Sequence, residues 1–515
     1  MAMRQETSCR LCEVLRGHWT PERKRTALMI LCATAVFSFA AHGFLFANEF
    51  FSHDSISYFT YATGSFSFYT SIGRFVIPVY ELLKGDVAAP WLIGLLFIFW
   101  VSLTVWVVIH LLKIRTTGGI LLTCGLMCTN LALTLTGATY VYCMDEYAFA
   151  LFAAVAAVWL FQKGRWWTLP GLAALILSLA VYQAYFTVAA SLCLILVIRQ
   201  LADGELLKTS FLNGVRYVAL LAVSFIAYYG VWTLICAITG VAKRRVEESL
   251  LAGGGVGKLL ALVRDANLEY VTGLFDDSGV LGWLMPVVHG LMLALLAWRL
   301  IQIIKDRGLP AGNKVLLLIL VCLIPTAFNS ASILLAGSAT QLMAFANELL
   351  YVLLLLCGEP SEKRQWCVVG RTAVVVLLCS VLWQHIVYAN QVYMKKELDK
   401  TATVSLATRV IDRMELLEEY VPGETPVAFV GRLDRNAYLN RGRDEFQDLD
   451  KTVGLWSDYS ATYNLGRYLT DYLNYPLLWD TETDFSQLEE VQAMPVFPAA
   501  GGIQMIHGTV VVKLS

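Results

Sequence analysis

The sequence predicts a mainly α-helical protein that crosses a membrane many times. Of its 515 residues, 57% are hydrophobic and only 15% are charged, and the mean hydropathy is +0.61. Soluble domains are about one quarter charged, so one anchor attached to a soluble domain would not give this composition. The apolar residues also form runs that are long enough to span a bilayer. The net charge of −1 does not suggest nucleic-acid binding.

The first span is expected at residues 26–47. Arg23, Lys24 and Arg25 precede it, so the positive-inside rule places the N-terminal segment 1–25 in the cytoplasm. The run is longer than the apolar core of a signal peptide and does not end in a small-residue cleavage site. We therefore interpret it as a membrane helix that is retained.

The following spans alternate in direction and bring the total to about eleven helices between residues 26 and 390. The apolar stretch 169–198 is too long for one span and has Tyr182 and Gln183 at its middle, so we divide it into two short helices. Lys or Arg flanks nearly every loop expected on the inner side, as the positive-inside rule requires. The other expected spans are 91–112, 118–137, 147–161, 218–240, 280–304, 315–328, 343–357 and 373–388.

Two large loops, 48–90 and 241–279, and the region 391–515 are then expected outside, on the side opposite the N-terminus. After residue 391 the long apolar runs stop, and acids, Asn, Gly and Pro become common. Residues 395–420 have helical spacing, whereas 427–430 and 509–514 resemble short strands. This predicts a small C-terminal α/β domain outside the membrane.

The first outer loop opens with NEFFSHDSISYF at residues 48–59. Asp54, Tyr58 and Tyr61 fall at i, i+4 and i+7, so a helix would present them on one face. Ser52 is a suitable N-cap, which would put Asp54 in a first turn that favours carboxylates. The functional interpretation is an acid beside two aromatic rings. The alternative is an interfacial helix whose acid serves only as a cap.

Further polar residues occur at the ends of expected spans. Asp145 and Glu146 lie between two apolar runs, where acids are costly unless they are paired or functional. Tyr182 and Gln183 form a polar kink between two short helices. Glu348, near the end of a later span, is another candidate for a buried acid with a capping or pairing role.

Three adjacent cations, Lys243, Arg244 and Arg245, follow the span at 218–240 on the side expected to be outside. Their position opposes the positive-inside trend, and a lipid phosphate or pyrophosphate would explain it. The alternative is that they extend to ordinary anionic headgroups.

Common catalytic motifs are absent from the sequence: GxSxG, HExxH and a Walker motif do not occur. No set of His, Cys, Asp and Glu has convincing metal-ligand spacing. The glycine run at 253–255 follows no expected strand, so it does not support nucleotide binding. A carboxylate and a cluster of cations on the outer side would instead suit a lipid-phosphate donor.

Three short motifs carry a family resemblance: HDSISYF around Asp54, SIGRFVIPVYELL around Arg74, and LILSLAVYQAYF around Tyr182 and Gln183. Together with the hydropathy layout from 26 to 390, they resemble the bacterial Gtr-type glucosyltransferase II family. These enzymes decorate surface polysaccharides and have the multi-span GT-C glycosyltransferase fold.

One position departs from the pattern of such families, which often have two adjacent acids in the first loop. Here His53 precedes Asp54. A second carboxylate would then have to come from Glu49, Asp145 or Glu146.

The resemblance implies transfer of a hexose, expected to be glucose, from a polyprenyl-phosphate sugar to a cell-surface polysaccharide such as O-antigen. The reaction would take place outside the cytoplasmic membrane of a bacterium. The expected partners are the lipid-linked sugar, the acceptor glycan, the bilayer, and the glycosyltransferase and flippase that make and deliver the donor. Neither a cofactor nor a metal is required.

The expected roles follow from this chemistry. Asp54 would take the proton of the acceptor hydroxyl, supported by Asp145 or Glu146. The leaving phosphate gains charge, which cationic donors stabilise. The proposed phosphate ligands are Arg74 and the cluster Lys243, Arg244 and Arg245; the residues expected to contact sugar or prenyl chain are Tyr58, Tyr61, Tyr182 and Gln183.

The main alternative is a transporter or flippase for a lipid-linked or small polar substrate. Many spans and short broken helices fit that function. Against it, the sequence shows no repeated halves, and its acids cluster at one membrane face instead of at mid-membrane.

Overall fold

The computed structural model describes residues 20–50, 56, 66–85, 88–244, 255–276, 282–305, 308–335, 337, 339–358, 368–432 and 465–515. This part of the chain is mostly helical. Seven of its helical segments are long and apolar enough to cross a membrane, and two shorter apolar segments accompany them. The predicted class is confirmed, while the count of about eleven crossings stays a prediction.

The helices are numbered in chain order. Those before residue 203 are α1 (Pro21–Ala47), α2 (Phe66–Ser71), α3 (Ile77–Glu81), α4 (Pro90–Leu111), α5 (Thr117–Cys128), α6 (Leu131–Tyr140), α7 (Met144–Gln162), α8 (Thr168–Leu179) and α9 (Phe186–Ala202). The later ones are α10 (Leu207–Thr239), α11 (Gly255–Gly273), α12 (Leu284–Lys305), α13 (Ala311–Cys322), α14 (Ile324–Phe328), α15 (Ser330–Leu334), α16 (Leu349–Gly358), α17 (Val368–Glu415) and α18 (Glu489–Ala493).

Several helix ends are encoded locally. Thr20 caps α1 by accepting the Arg23 N–H at 3.3 Å, and proline occupies the first position of that helix. The span expected at 118–137 is divided in two, because Asn130 starts α6 as its N-cap and accepts the Ala132 N–H at 2.9 Å. The break expected inside 169–198 is confirmed between α8 and α9.

Helix α17 joins the membrane region to the C-terminal domain. Its 48 residues correspond to about 70 Å at 1.5 Å per residue, more than twice a bilayer core. The helix runs unbroken through the expected boundary at residue 390. Its first half packs beside α12, α16 and α1, whereas Leu406, Val410 and Met414 enter a second hydrophobic core.

The C-terminal domain contains a four-stranded sheet in the order β2-β1-β4-β3. The strands are β1 (Pro426–Val430), β2 (Leu478–Trp479), β3 (Ile503–Ile506) and β4 (Thr509–Lys513). β1 is parallel to β2 and β4, and β3 and β4 form an antiparallel hairpin. His507 and Gly508 at its turn both have positive φ, as a tight hairpin turn requires. The predicted small α/β domain is confirmed.

The two ends of the helical bundle can be distinguished from contacts between neighbouring helices. Phe46 near the end of α1 packs on Phe97 of α4 with ring centroids 5.9 Å apart, so α1 ends where α4 begins. At the opposite end, Arg199 of α9 donates to the carbonyl of Leu112 after α4. We call the end at which α1 finishes the site end, because the candidate residues gather there.

Candidate active site

Residues 66–85, here called the capping loop, form two short helices and a turn over the site end. The end of α2 and the turn that follows it carry four consecutive carbonyls, of residues 70 to 73, and each accepts a hydrogen bond from another segment. Non-helical backbone near a bilayer needs such partners, because little water is there to supply them. The donors are Trp232 Nε1 to Thr70 at 2.7 Å, the Arg244 N–H to Ser71 at 2.8 Å, Gln183 Nε2 to Ile72 at 3.0 Å and the Tyr228 hydroxyl to Gly73 at 3.0 Å.

Gly73 is required by this geometry for two reasons. Its φ of +80° is in the left-handed region, which favours glycine. A Cβ atom at this position would also overlap the Tyr228 hydroxyl. The Gly73–Arg74 pair within the SIGRFVIPVYELL motif thus lies where the capping loop contacts α10.

Arg74 projects from this turn onto two stacked tyrosines. Its Nη1 donates to the Tyr147 hydroxyl at 2.6 Å, and its guanidinium lies 5.6 and 5.2 Å from the ring centroids of Tyr147 and Tyr182. The two rings are stacked with centroids 4.0 Å apart. Arg74 is half-buried, and a guanidinium carries five N–H donors in a planar fork. The arrangement can therefore hold the cation in place and still offer donors to an anion.

Asp145 and Glu146 lie in the first turn of α7, beside the Tyr147 that Arg74 contacts. Both carboxylates are completely buried, and both contact Lys84 at the end of the capping loop. The Lys84 Nζ is 2.5 Å from Glu146 Oε1 and 3.3 Å from Asp145 Oδ1, and it donates to the Tyr142 carbonyl at 2.6 Å. The helix N-terminus adds a favourable field for the two acids.

This cluster places one cation against two carboxylates. Burial opposes the charge on Lys84, but the attraction of Glu146 and Asp145 outweighs it and raises the pKa of this lysine above its usual range. Asp145 Oδ2 and Glu146 Oε2 have no hydrogen-bond partner within the part of the chain that the structure describes. A strong electrostatic contact therefore fastens the capping loop to the start of α7.

Lys243 and Arg244 follow α10, and of the two Arg244 contacts the capping loop directly. Lys243 folds back over α10: its Nζ donates to Thr233 Oγ1 at 2.6 Å and lies 3.9 and 4.5 Å from the rings of Tyr229 and Trp232. A cation at this helix C-terminus is also favoured by the helix dipole. Arg244 pairs through its backbone with the loop and lies 5.9 Å from the Phe68 ring.

Glu348, the further acid noted in the sequence, lies elsewhere and has the capping role suggested for it. Its Oε1 accepts the Leu131 N–H at 2.9 Å, at the start of α6. Its Oε2 lies 3.7 Å from Nδ1 of the buried His385. Glu348 thus joins the segment before α16 to the start of α6, and it is remote in sequence from the capping loop.

The structure brings most of the predicted site residues together around the capping loop. These are Arg74, Asp145, Glu146, Tyr182, Gln183, Lys243 and Arg244. The predicted residues Asp54, Tyr58, Tyr61 and Arg245 lie outside the described residues. The sequence interpretation did not single out Lys84, Tyr147, Tyr228 or Trp232.

Among the described residues there is no group of three or more His, Cys, Asp or Glu that could hold a metal ion. The polar groups of the site are instead cations, carboxylates and phenols. Such a set suits a phosphate-bearing ligand at the end of a membrane bundle.

Comparison with known families identifies the chain. The model of the family described as Glucosyl transferase GtrII matches residues 43–357, which is more than half of the sequence. The chain belongs to the GtrII glucosyl transferase family. This confirms the resemblance seen in the three motifs. The matched range contains the capping loop and every contact made to it here. Neither a curated protein nor a solved structure matches the chain.

Family membership supports glycosyl transfer as the activity of this membrane protein. The matched range ends at residue 357, before α17 and the C-terminal sheet. The family match therefore assigns no role to α17 and the C-terminal sheet.

Proposed function

We propose that the protein transfers a hexose, in the first instance glucose, from a polyprenyl-phosphate sugar to a cell-surface polysaccharide outside the bacterial cytoplasmic membrane. The family supports the glycosyl transfer. The observation that carries the lipid-phosphate donor is Arg74, a half-buried guanidinium held on two tyrosine rings where membrane helices end. An arginine in this setting matches a phosphate with its planar fork.

The distribution of charge supports the outward orientation of the site. Arg23 to Arg25 stand at the beginning of α1, opposite the site end. Lys113 and Arg115 follow α4, and Arg199 near the end of α9 contacts the same region. Since cations collect at cytoplasmic helix ends, the capping loop is proposed to face outward.

The proposed reaction exchanges one bond at the anomeric carbon of the sugar. The acceptor hydroxyl attacks that carbon and passes its proton to the Asp54 carboxylate. The bond from carbon to phosphate oxygen breaks, and the polyprenyl phosphate leaves with the electron pair. Arg74, supported by Arg244 and Arg245, stabilises the negative charge that develops on it.

The remaining predicted residues take supporting roles in this proposal. Asp145 and Glu146 are fully buried, so we place them in support of the base by fixing the loop through Lys84. Tyr58, Tyr61 and Tyr182 are proposed to contact the sugar or the prenyl chain. Gln183 and Lys243 are proposed to help bind the donor. Each also makes a structural hydrogen bond, Gln183 to the Ile72 carbonyl and Lys243 to Thr233.

Transfer by purified protein in detergent tests the proposal. The assay supplies polyprenyl-phosphate glucose labelled in the sugar together with crude surface glycan, and follows label into glycan. We expect wild type to transfer, Asp54→Asn to bind donor without transferring, and Arg74→Gln to raise the donor KM and lower kcat. Arg264→Gln is the matched control, because Arg264 is exposed on α11 and pairs with Asp265.

Each outcome has a distinct meaning. An Asp54→Asn protein that transfers at the wild-type rate would refute the role of Asp54 as base. Wild type that binds the donor and moves it across vesicles, but never transfers sugar, would favour the transporter alternative.

A further inference from the structure

One residue of the first loop is part of the core of the C-terminal domain. Ile56 is fully buried and belongs to the same hydrophobic cluster as residues of α17 and of the sheet, from Leu406 to Leu514. Other members of this cluster are Leu406, Val410, Tyr468, Val512 and Leu514. The domain core is therefore completed by a side chain from the family-matched region.

Two residues shortly before Ile56 in the sequence approach neighbouring elements. Phe50 meets α17 within the hydrophobic core of the membrane region, and Glu49 lies near the domain residue Tyr472. The Phe50 ring stacks on Tyr393 of α17 with centroids 6.4 Å apart and planes 9° apart. Tyr393 is itself fixed, because its hydroxyl is 2.7 Å from Nδ1 of His42. Burial and, after it, the nearby Glu49 carboxylate raise the pKa of Tyr472 in the domain. The chain that leaves α1 is thus held by α17 and the domain on both sides of residue 54 in sequence.

We propose that the C-terminal domain is a positioning element for the first loop, and that Ile56 is the side chain through which it acts. The inference rests on the proposed function, in which Asp54, two residues before Ile56, is the base. A base has to be held within hydrogen-bond distance of the acceptor hydroxyl. Displacement by about 1 Å can cost on the order of a hundredfold in rate. The domain outside the family match thereby gains a role in catalysis.

The experiment compares Ile56→Ala with Leu514→Ala in the full-length protein. Both substitutions remove three carbon atoms from fully buried positions of the same cluster, so both should lower the midpoint of thermal unfolding by similar amounts. Below that midpoint, we expect Ile56→Ala to lower kcat by roughly tenfold or more. Its donor KM should stay within about twofold of wild type. Leu514→Ala should keep the wild-type kcat, and Ile56→Val should recover most of it.

A second measurement does not depend on the reaction. Ser52→Cys introduces a thiol four residues before Ile56, and its labelling by a membrane-impermeant maleimide is compared with protein lacking this cysteine. Labelling should become several times faster when Ile56→Ala is added and should not change with Leu514→Ala.

The outcomes separate this inference from the proposed function. Equal kcat values and equal labelling rates for the two alanine variants would overturn the positioning role. If wild type transfers no sugar from any polyprenyl-phosphate donor, the proposed function fails, and the labelling rates alone decide whether the domain holds the loop.

Discussion

Replacing Lys84 by methionine is the most direct test of how the site is held together. The change keeps the length of the side chain but removes the ammonium group that faces Asp145 and Glu146. Two carboxylates would then be buried without their cation. Removing one partner of a buried ion pair costs about 3–5 kcal/mol, because the remaining charge is uncompensated. We expect Lys84→Met to lower the midpoint of thermal unfolding in detergent by several degrees and to abolish transfer.

Two comparison proteins show whether the electrostatic reasoning is right. In Lys84→Met/Asp145→Asn/Glu146→Gln the buried charges are gone, so the midpoint should recover much of the loss. Lys163→Met removes an exposed lysine whose Nζ lies 3.4 Å from the centroid of the Trp159 ring, and it should cost less than about 1 kcal/mol. If Lys84→Met unfolds at the wild-type temperature, or if the triple variant is less stable than Lys84→Met, the reasoning is refuted.

The pH dependence of this contact follows from the raised pKa of Lys84. A lysine whose pKa is higher in the folded than in the unfolded protein contributes its full stabilisation below the unfolded value of about 10.4. That contribution is lost only as the pH rises through the raised folded value. Titration of Lys84 should therefore not change the difference in unfolding midpoint between wild type and Lys84→Met between about pH 6 and 9.

Three further predictions concern the loop, the donor and the orientation. Arg74→Lys keeps the charge but loses the planar fork, so the donor KM should rise by about tenfold in a donor titration; an unchanged KM would exclude a bidentate phosphate contact. Gly73→Ala should strongly lower activity because the added Cβ overlaps the Tyr228 hydroxyl. Gly85 has a similar positive φ but no atom near its added Cβ, so Gly85→Ala should retain far more activity. Equal activities would show that the overlap with Tyr228 is not what matters. A cysteine at the exposed position Ser486 should react with an impermeant maleimide in intact spheroplasts, and labelling only after lysis would reverse the proposed orientation.

Parts of this site could be predicted from the sequence because polar residues within long apolar runs are conspicuous. Asp145 and Gln183 were found in this way, and the structure places both against the capping loop. Lys84 was missed because a lysine in an expected outer loop looks ordinary. Its importance lies in a contact across 61 to 62 residues of sequence. Tyr228 and Trp232 were missed because aromatic residues on an apolar helix resemble core.

The C-terminal domain shows the same limit on prediction. The short apolar runs at 427–430 and 509–514 predicted β1 and β4, which are neighbouring strands in the structure. Their parallel pairing, and the short strand β2 beside them, depend on contacts between distant segments that no local pattern reveals. The burial of Ile56 in this core is more remote still, because it needs the first loop and the last strand to meet.

The contacts of the capping loop explain why so many aromatic and amide groups surround a single arginine. A turn that carries Arg74 outside any helix exposes backbone carbonyls close to the bilayer, where each unsatisfied group costs several kcal/mol. Trp232, Gln183 and Tyr228 each supply one donor to that turn. Once these carbonyls are satisfied by protein, the turn can hold a cation at the membrane surface without relying on water. The residues that donate hydrogen bonds to the backbone carbonyls and the residues proposed to bind the phosphate are therefore different groups, and variants can separate them. Loss of a donor to a carbonyl should reduce stability and activity together. Loss of the Arg74 guanidinium should reduce donor binding in a protein that still folds.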